Sequence, residues 1–422
     1  MTEQLRDRAS RSLPTASVRH GRLRRHSAWK TLLAVLGGTM AVVMVSGVSV
    51  AAIAVNQLNQ NIDVVELVDE AGEERPVPTL GEWEGGFNVL LVGVDNAEGQ
   101  ADGGSRGSAV LNDVNILVHV AEDQQSAVAI SIPRDMVVPV PSCPRPEGGN
   151  YSAMSAQPIN VAMSYGGLSC VVLTVEALTG LDVPYAGIIT FDGVARMSSA
   201  VGGVDVCVDG PINDRYTGLV LPEAGTYSLE GGEALAFLRT RYGVGDGSDL
   251  GRISSQQVYL SSLIRKVQTE GVLTDLTKLY GLATVATTSM QLSSSIARPD
   301  TMVSMALVLR DIPTENISFV QYPSTTGGTG VYLGKVQPIR SQAEALFDKI
   351  RNGESFLLEE GETGVGSTTD PNAPAPEPDP STPAPTTEAG PTVPPLEAEE
   401  PAEVLTGVKG QTAADFTCAV SN

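Results

Sequence analysis

Histidine, cysteine, lysine and aromatic side chains are all scarce in this 422-residue chain. Three histidines (His20, His26, His119) and four scattered cysteines leave too few ligands for the common zinc sites. The only histidine beyond residue 55 is His119, inside a predicted strand, so a Ser/His/Asp triad has no candidate base. Basic residues number 27 against 49 acidic ones. The resulting net charge of −22 opposes attraction to nucleic acid phosphates. Aromatics are only 5%, whereas 44 Gly and 27 Pro predict many turns and a tract without a packed core. With 42% hydrophobic residues the chain can still bury a sizeable core, and its length allows two or three domains.

One stretch lacks charge altogether. Residues 31–54 contain no Asp, Glu, Lys or Arg. Residues 1–30 before them carry eight basic residues (Arg6, Arg8, Arg11, Arg19, Arg22, Arg24, Arg25, Lys30) against Glu3 and Asp7. The run from Thr31 to Val55 exceeds the ~20 residues that a bilayer-spanning helix needs. A basic flank sets that side in the cytoplasm, so the chain beyond Val55 is expected outside the cell, on a single membrane span. The rival is a cleaved signal peptide ending near Ala52-Ile53-Ala54. Signal h-regions run to about 7–15 residues, which is shorter than this run, so an uncleaved anchor is expected. Four cysteines (Cys143, Cys170, Cys207, Cys418) suit disulfides in that oxidising location. Three connectivities are open. Cys143 with Cys170, each following a turn-like segment, is the first to test.

Residues 56–85 are polar and acidic and are expected to connect the anchor to a globular domain at 86–352. Short apolar runs predict strands at Asn88–Val94, Val114–Val120, Ala127–Ile132, Tyr185–Phe191, Val204–Val208 and Ile317–Tyr322. Longer patterns predict helices at 158–180 (broken at Gly166 and Gly167), 192–200, 230–239, 249–270, 273–289, 300–310 and 341–351. Strands alternating with helices imply an α/β layered domain, a central mixed sheet flanked by helices. Eleven prolines lie from Pro371 to Pro401, among Thr, Ala and acids, and no Lys or Arg occurs between Arg351 and Lys409. Residues 353–404 are therefore expected to be a disordered linker, and 405–422 a tail that Cys418 pins back.

The chemistry concentrates at two arginine-rich spots. Ser131-Ile-Pro-Arg134-Asp135 follows a buried strand, and ligands in open α/β sheets sit beyond strand carboxyl ends. The second spot runs from Arg239-Thr-Arg241 through a glycine loop to Asp249-Leu-Gly-Arg252. Arg239 and Arg241 can face one way only if their helix has ended. Asp249 is expected to cap the next helix, whose free N–H groups attract anions. Arg252 in the first turn opposes the helix dipole unless Asp249 or an anion compensates it. Asp249, Arg252 and Gln256 share a face. Arginine forks match phosphate oxygens. Asp95 and Asp113, at the ends of two strands joined by the loop 96–110, supply the one or two carboxylates with which proteins hold a phosphate-associated Mg²⁺. Together these residues suggest a Mg-pyrophosphate site. Gly334-Lys335 lacks the P-loop pattern and Gly243-Val-Gly245-Asp-Gly247 lacks the last glycine of a dinucleotide loop.

Eight segments in order now resemble one family. They are Asn88–Asp95, Asn112-Asp113, Ser131–Asp135, Ile159–Gly167, Phe191–Gly193, Val201–Val206, Ala236–Arg241 and Gly247–Arg252. Together they look like the LytR-CpsA-Psr family of bacterial cell-envelope proteins. The resemblance implies a single N-terminal anchor, an extracellular α/β domain, and transfer of a glycopolymer from a polyprenyl-pyrophosphate carrier to a peptidoglycan hydroxyl. It further implies Mg²⁺ (or Mn²⁺) on Asp95 and Asp113, a pyrophosphate clamp of Arg134, Arg239, Arg241 and Arg252, and Asp249 either orienting Arg252 or binding near the metal. Asp95 is taken as the general base, and no nucleic acid partner is implied. The family's frequent Arg two residues before the second acid is here Leu111, with Arg106 as the substitute. An apolar slot for the lipid is expected between the sheet and the helix bearing Leu260, Leu263 and Ile264. Hydrolysis of the same lipid with water as acceptor, or glycan binding without catalysis, are the alternatives.

Overall fold

A computed structural model of the chain describes residues 62–76, 85–95, 110–145, 147–269, 271, 276–359, 361–373 and 403–422, with scattered positions between 29 and 46. Of the predicted span, residues 32–33, 35–40, 42 and 44–46 are helical and exposed. The rest of it, and Arg106, lie outside the described residues. The helix long and apolar enough to cross a membrane among the described residues is Ile159–Thr179, and its side chains are largely buried in the domain core.

The strands run β1 (Asp63–Val65), β2 (Phe87–Val94), β3 (Asn112–Val120) and β4 (Ala127–Ser131). Then come helix α1 (Ala162–Thr179), β5 (Tyr185–Thr190), α2 (Phe191–Val201), β6 (Val204–Val208), β7 (Ile212–Asp214), β8 (Leu219–Leu221) and β9 (Gly225–Leu229). Next are α3 (Gly232–Arg239), α4 (Asp249–Thr269), α5 (Leu276–Ser289), β10 (Met290–Ser293), α6 (Pro299–Asp311), β11 (Ile317–Gln321) and α7 (Arg340–Asn352). The last strands are β12 (Phe356–Leu358), β13 (Ser367–Thr369), β14 (Glu403–Leu405), β15 (Gly410–Thr412) and β16 (Thr417–Ala419). Eight strands form the central mixed sheet in the order β1-β10-β5-β2-β3-β4-β11-β15. Both of its faces are covered, which is why β2 reads as one apolar run rather than an alternation. Leu90, Val92 and Val94 face one core with Ile130, Val171 and Phe347. Phe87, Val89 and Leu91 face another, with Phe319, Met305, Leu260 and Ile264. A second sheet, β9-β6-β16-β13, packs Val204, Val206 and Leu229 against Phe237 and Tyr259 of α3 and α4.

α1 breaks where expected: Gly167 takes φ 62°, ψ −153°. Two disulfides form, Cys143–Cys170 and Cys207–Cys418. The first fastens the loop after β4 to α1. The second joins β6 to β16, which lie side by side in parallel.

The expected domain limits need correction. β1 belongs to the central sheet although it lies in the supposed connector, pairing with β10. Residues 353–373 are not linker: β12 pairs with β14 and β13 with β16. The tail 405–422 is not an appendage either, since β15 forms the edge of the central sheet beside β11. Strands of three residues with long-range partners leave almost no periodic signal, because their stability comes from the neighbours they find. Residues 374–402, the richest in proline, lie outside the described residues.

Candidate active site

β2, β4, β5 and β11 run the same way, and β3 runs against them. The carboxyl ends of those four strands and the start of β3 therefore share one edge of the sheet. Asp95 directly follows β2 and is buried, at 6% exposure. In the β2–β3 ladder Gly93 pairs with Val114 but Val94 pairs with Asn112. Asp113 is thus the extra residue of a β-bulge, a device that re-aims a side chain at the edge of a sheet. Asn112 beside it is held by Asn115, to whose Oδ1 it donates at 2.6 Å, and it accepts from the Met163 amide.

Arg134 sits in the turn after β4 and donates to Asp113 Oδ1 at 2.5 Å. Its Nε lies 3.8 Å from both Asp135 and Asp249. Burial opposes its charge, but Asp113, Asp249 and Asp135 outweigh burial and raise its pKa above the ordinary value. Asp135 is itself held by Lys335 at 3.0 Å. Burial would raise the Asp135 pKa, but Lys335, Arg134 and Arg241 overcome it and lower it.

The expected cap is displaced by one residue. Ser248 Oγ, not Asp249, accepts from the Gly251 amide at the start of α4. The short serine hydroxyl takes the capping place, and Asp249 enters the helix with its carboxylate turned to Arg252, 2.6 Å away. Arg252 is only 5% exposed and also donates to the Asp113 carbonyl at 3.0 Å. Burial lowers its pKa, with Asp249 opposing and Arg134 adding to the drop. This is the compensation that a cation in a first helical turn requires. Both Asp249 oxygens, Arg134 Nε, Arg241 Nε and Arg252 Nε are buried without an aligned hydrogen bond. Five such atoms in one cluster are unusual for a packed interior and fit a site built around a ligand.

α3 ends at Arg239, and Thr240 is extended (φ −63°, ψ 139°), so the chain straightens as required for the two arginines. They do different things. The Arg239 guanidinium stacks 4.2 Å over the Phe191 ring. Arg241 carries its charge near Asp135 and Arg252. Its amide donates to buried Asp214 Oδ2 at 3.2 Å, and the Thr240 hydroxyl donates to the same oxygen at 2.6 Å. Gln256, expected among the ligand-binding residues, instead donates its amide to the Leu238 carbonyl at 2.8 Å and fastens α4 to α3.

The apolar slot is also displaced. Leu260 and Ile264 pack under the central sheet and Leu263 on the second sheet, so both sides of that helix are filled. A cavity of about 590 Å³ lies at the other flank of the site. Val94, Val110, Met163, Leu168, Ile188 and Met290 line one part of it, and Asp63, Thr190, Asp192, Arg196, Ser289 and Gln291 are among the polar residues that line the rest. Val94 immediately precedes Asp95, so the cavity opens beside the acidic end of β2.

With that geometry in view, comparison with other proteins is decisive. Residues 54–348 match the LytR_cpsA_psr family. The chain belongs to this family. It is 26% identical over 379 residues to the cell wall biosynthesis protein LcpA of Corynebacterium glutamicum, covering 83% of this chain and 70% of that one. It is 31% identical over 258 residues to the Bacillus subtilis polyisoprenyl-teichoic acid–peptidoglycan teichoic acid transferase TagT, covering 59% and 74%. Among solved structures, a Streptococcus agalactiae protein shares the fold at 23% identity and a TM-score of 0.51, over 64% of this chain and 89% of that one. Bacillus subtilis TagV does so at 21% and 0.50, over 64% and 97%.

Within this LytR–CpsA–Psr domain three contributors escaped the sequence reading. Lys335 arrives from a distant loop, and its Gly334-Lys335 pair registered only as a failed P-loop pattern. Asp214 was hidden in a three-residue strand. The C-terminus holds the glycine loop after Arg241: Gly245 N donates to the Val420 carbonyl at 2.8 Å, and Asn422 N to Gly243 at 3.2 Å. Cys418, four residues from the end, was the one visible signal that this segment is pinned.

Proposed function

We propose that the protein transfers a glycopolymer from a polyprenyl-pyrophosphate carrier to a hydroxyl of peptidoglycan. The names of LcpA and TagT support the reaction class. The observation that carries it to this chain is the convergence of Arg134, Arg241 and Arg252, with unsatisfied buried N–H groups; a cavity lined in part by Val94, Met163, Leu168 and Ile188 lies at the flank of the site. A doubly phosphorylated head on a hydrocarbon tail matches both halves of that arrangement.

In the proposed reaction the acceptor oxygen forms a bond to the phosphorus next to the glycan. The phosphoanhydride bond to the second phosphorus breaks, and polyprenyl phosphate leaves with that electron pair. Asp95 takes the hydroxyl proton. The three arginines hold the phosphate oxygens and neutralise the charge that grows on the leaving group, so positioning and electrostatics carry the rate. Arg239, stacked on Phe191 at the start of α2, is the fourth member of the proposed clamp. Asp249 keeps Arg252 in place.

Asp95 and Asp113 are the residues that would hold Mg²⁺ (or Mn²⁺), which supplies further charge neutralisation when bound. Both carboxylates lie at one edge of the central sheet, and Asp113 Oδ1 is shared with Arg134. One or two carboxylates with phosphate oxygens and water are the usual surroundings of a phosphate-associated Mg²⁺. The exposed apolar side chains of the helix Val35–Ser46, after a basic N-terminal segment, support a single membrane anchor with the domain outside the cell.

The test is polymer transfer in membranes carrying Arg134→Ala or Arg252→Ala. Each variant is expected to lose at least ~100-fold in rate, the usual loss for one preorganised donor. Near-normal transfer by both would overturn the clamp.

A further inference from the structure

Ten tyrosines occur in the chain, and among the described residues only Tyr216 and Tyr242 are exposed, at 63% and 60%. They lie together. Their ring centroids are 4.8 Å apart and their planes are inclined at 39°. Arg215 completes the group: its guanidinium lies 4.8 Å from the Tyr216 ring centroid and donates to the Tyr216 hydroxyl at 2.7 Å. Two large rings held in water against each other form an apolar patch with a polar rim, which marks a binding surface.

The pair is rigidly joined to the arginine cluster. Tyr216 sits in the turn between β7 and β8, and Tyr242 follows Arg241 in sequence. Asp214, 1% exposed, ties the two segments together. Its Oδ1 accepts from the Tyr216 amide at 2.9 Å, and its Oδ2 accepts from Thr240 Oγ1 and the Arg241 amide. The Tyr242 carbonyl accepts from Asn422 Nδ2 at 3.1 Å. One buried carboxylate and the chain terminus thus fix the two rings relative to the Arg241 backbone.

We infer that Tyr216, Tyr242 and Arg215 form a platform for a pyranose chain of the acceptor glycan. The inference rests on the transferase reading above. A pyranose ring presents axial C–H groups of partial positive charge, which suit the negative face of an aromatic ring. Its hydroxyls suit the remaining donors of Arg215. Geometry separates the platform from the donor's lipid, and the second arm of the experiment separates the acceptor from the donor's own glycan. No residue of 212–221 or 240–248 lines the cavity at the flank of the site, so the platform stands apart from the place assigned to the lipid. An in-line attack brings the acceptor to phosphorus from the side opposite the departing lipid phosphate.

The experiment has two arms on the full-length protein. In the first, a soluble tetramer of β-1,4-linked N-acetylglucosamine is titrated while tyrosine ring NMR signals are followed. Shifts at Tyr216 and Tyr242 are expected. Binding should be lost in the double variant Tyr216→Ala/Tyr242→Ala and retained in Tyr216→Phe/Tyr242→Phe. No binding by the wild type, or equal binding by the double alanine variant, would overturn the platform. In the second arm, the double alanine variant should raise KM for a soluble peptidoglycan acceptor about tenfold, with donor KM and kcat within about twofold of wild type. A rise in donor KM instead, or an unchanged acceptor KM, would contradict it. Oligosaccharide binding at the tyrosines without any transfer product would retain the platform and remove the transferase reading. Unaltered transfer kinetics in the variant would do the reverse.

Discussion

Arg252 is the residue on which folding and chemistry meet. It is almost wholly buried, and its partner Asp249 is only 3% exposed. Removing the guanidinium leaves a buried carboxylate without compensation, a loss of ~3–5 kcal/mol for pairs of this kind. Arg134 is more accessible, with 18% of its side chain exposed. Arg134→Ala strands the buried Asp113 carboxylate in the same way. Both variants should therefore lower transfer and the urea midpoint together, and an unchanged urea midpoint in either would contradict the pairing. His119 offers a test outside the site. Its Nδ1–H donates to Asn88 Oδ1 at 2.8 Å, because the Asn88 amide nitrogen is committed to the Asp182 carbonyl. Burial drives its pKa down to about 4 from an ordinary 6.5. The folded state thus favours the neutral ring. The stability this contributes is complete above pH 6.5 and is lost as pH falls towards 4. The loss is on the order of 3 kcal/mol by linkage. The His119→Gln variant should show a flatter stability profile between pH 7 and 4, and a profile parallel to wild type would contradict this.

At the scale of elements, the bulge in β3 and the start of α4 position the acids and arginines. Gly366 shows how closely α4 is braced. A Cβ there would lie 2.0 Å from the Gly251 carbonyl oxygen, in the turn that carries Arg252. Gly366→Ala must shift backbone, and it is expected to lower the melting temperature and reduce transfer together. Gly232, at the first position of α3, has nothing within 4 Å of its Cβ, so Gly232→Ala should be neutral or slightly stabilising. Thermal melts of the two variants decide the point. Elements of this kind were unequally legible. Strands β2, β4, β5 and β6 and helices α2, α4 and α7 fell within two residues of their sequence-based limits, because each buries a continuous or periodic apolar set. The β7–β8 hairpin and every strand after α7 were missed, being too short for any period to register. The cap of α4 was assigned to Asp249 because acid and serine cap equally well in sequence, and only the Arg252 contact separates them.

The domain beyond residue 55 is closed by residues 403–422. β14, β15 and β16 each add to a different sheet, and Cys418 bonds to Cys207 across 211 residues of chain. A chain ending at residue 373 would lose all three strands, one disulfide and the hold on the glycine loop beyond Arg241. It should melt at least ~10 °C lower than the full chain, or fail to show a cooperative transition at all. A melt within a few degrees of the full chain would mean that the last 20 residues are an accessory. What the sequence made plain at this scale was the charge pattern: the basic segment, the uncharged run and the arginines in an acidic domain. What it hid was closure, because residues 56–85 and 353–422 look like spacers until their partners in the sheets are known. The central claim concerns where one lipid head and its tail reside. A crystal structure of the LytR–CpsA–Psr domain with polyprenyl pyrophosphate tests it most directly. The account predicts phosphate oxygens within hydrogen-bonding reach of Arg134, Arg241 and Arg252, and the hydrocarbon in the cavity bordered by Val94, Met163 and Ile188. A head bound away from those three arginines, or a tail outside that cavity, would contradict it.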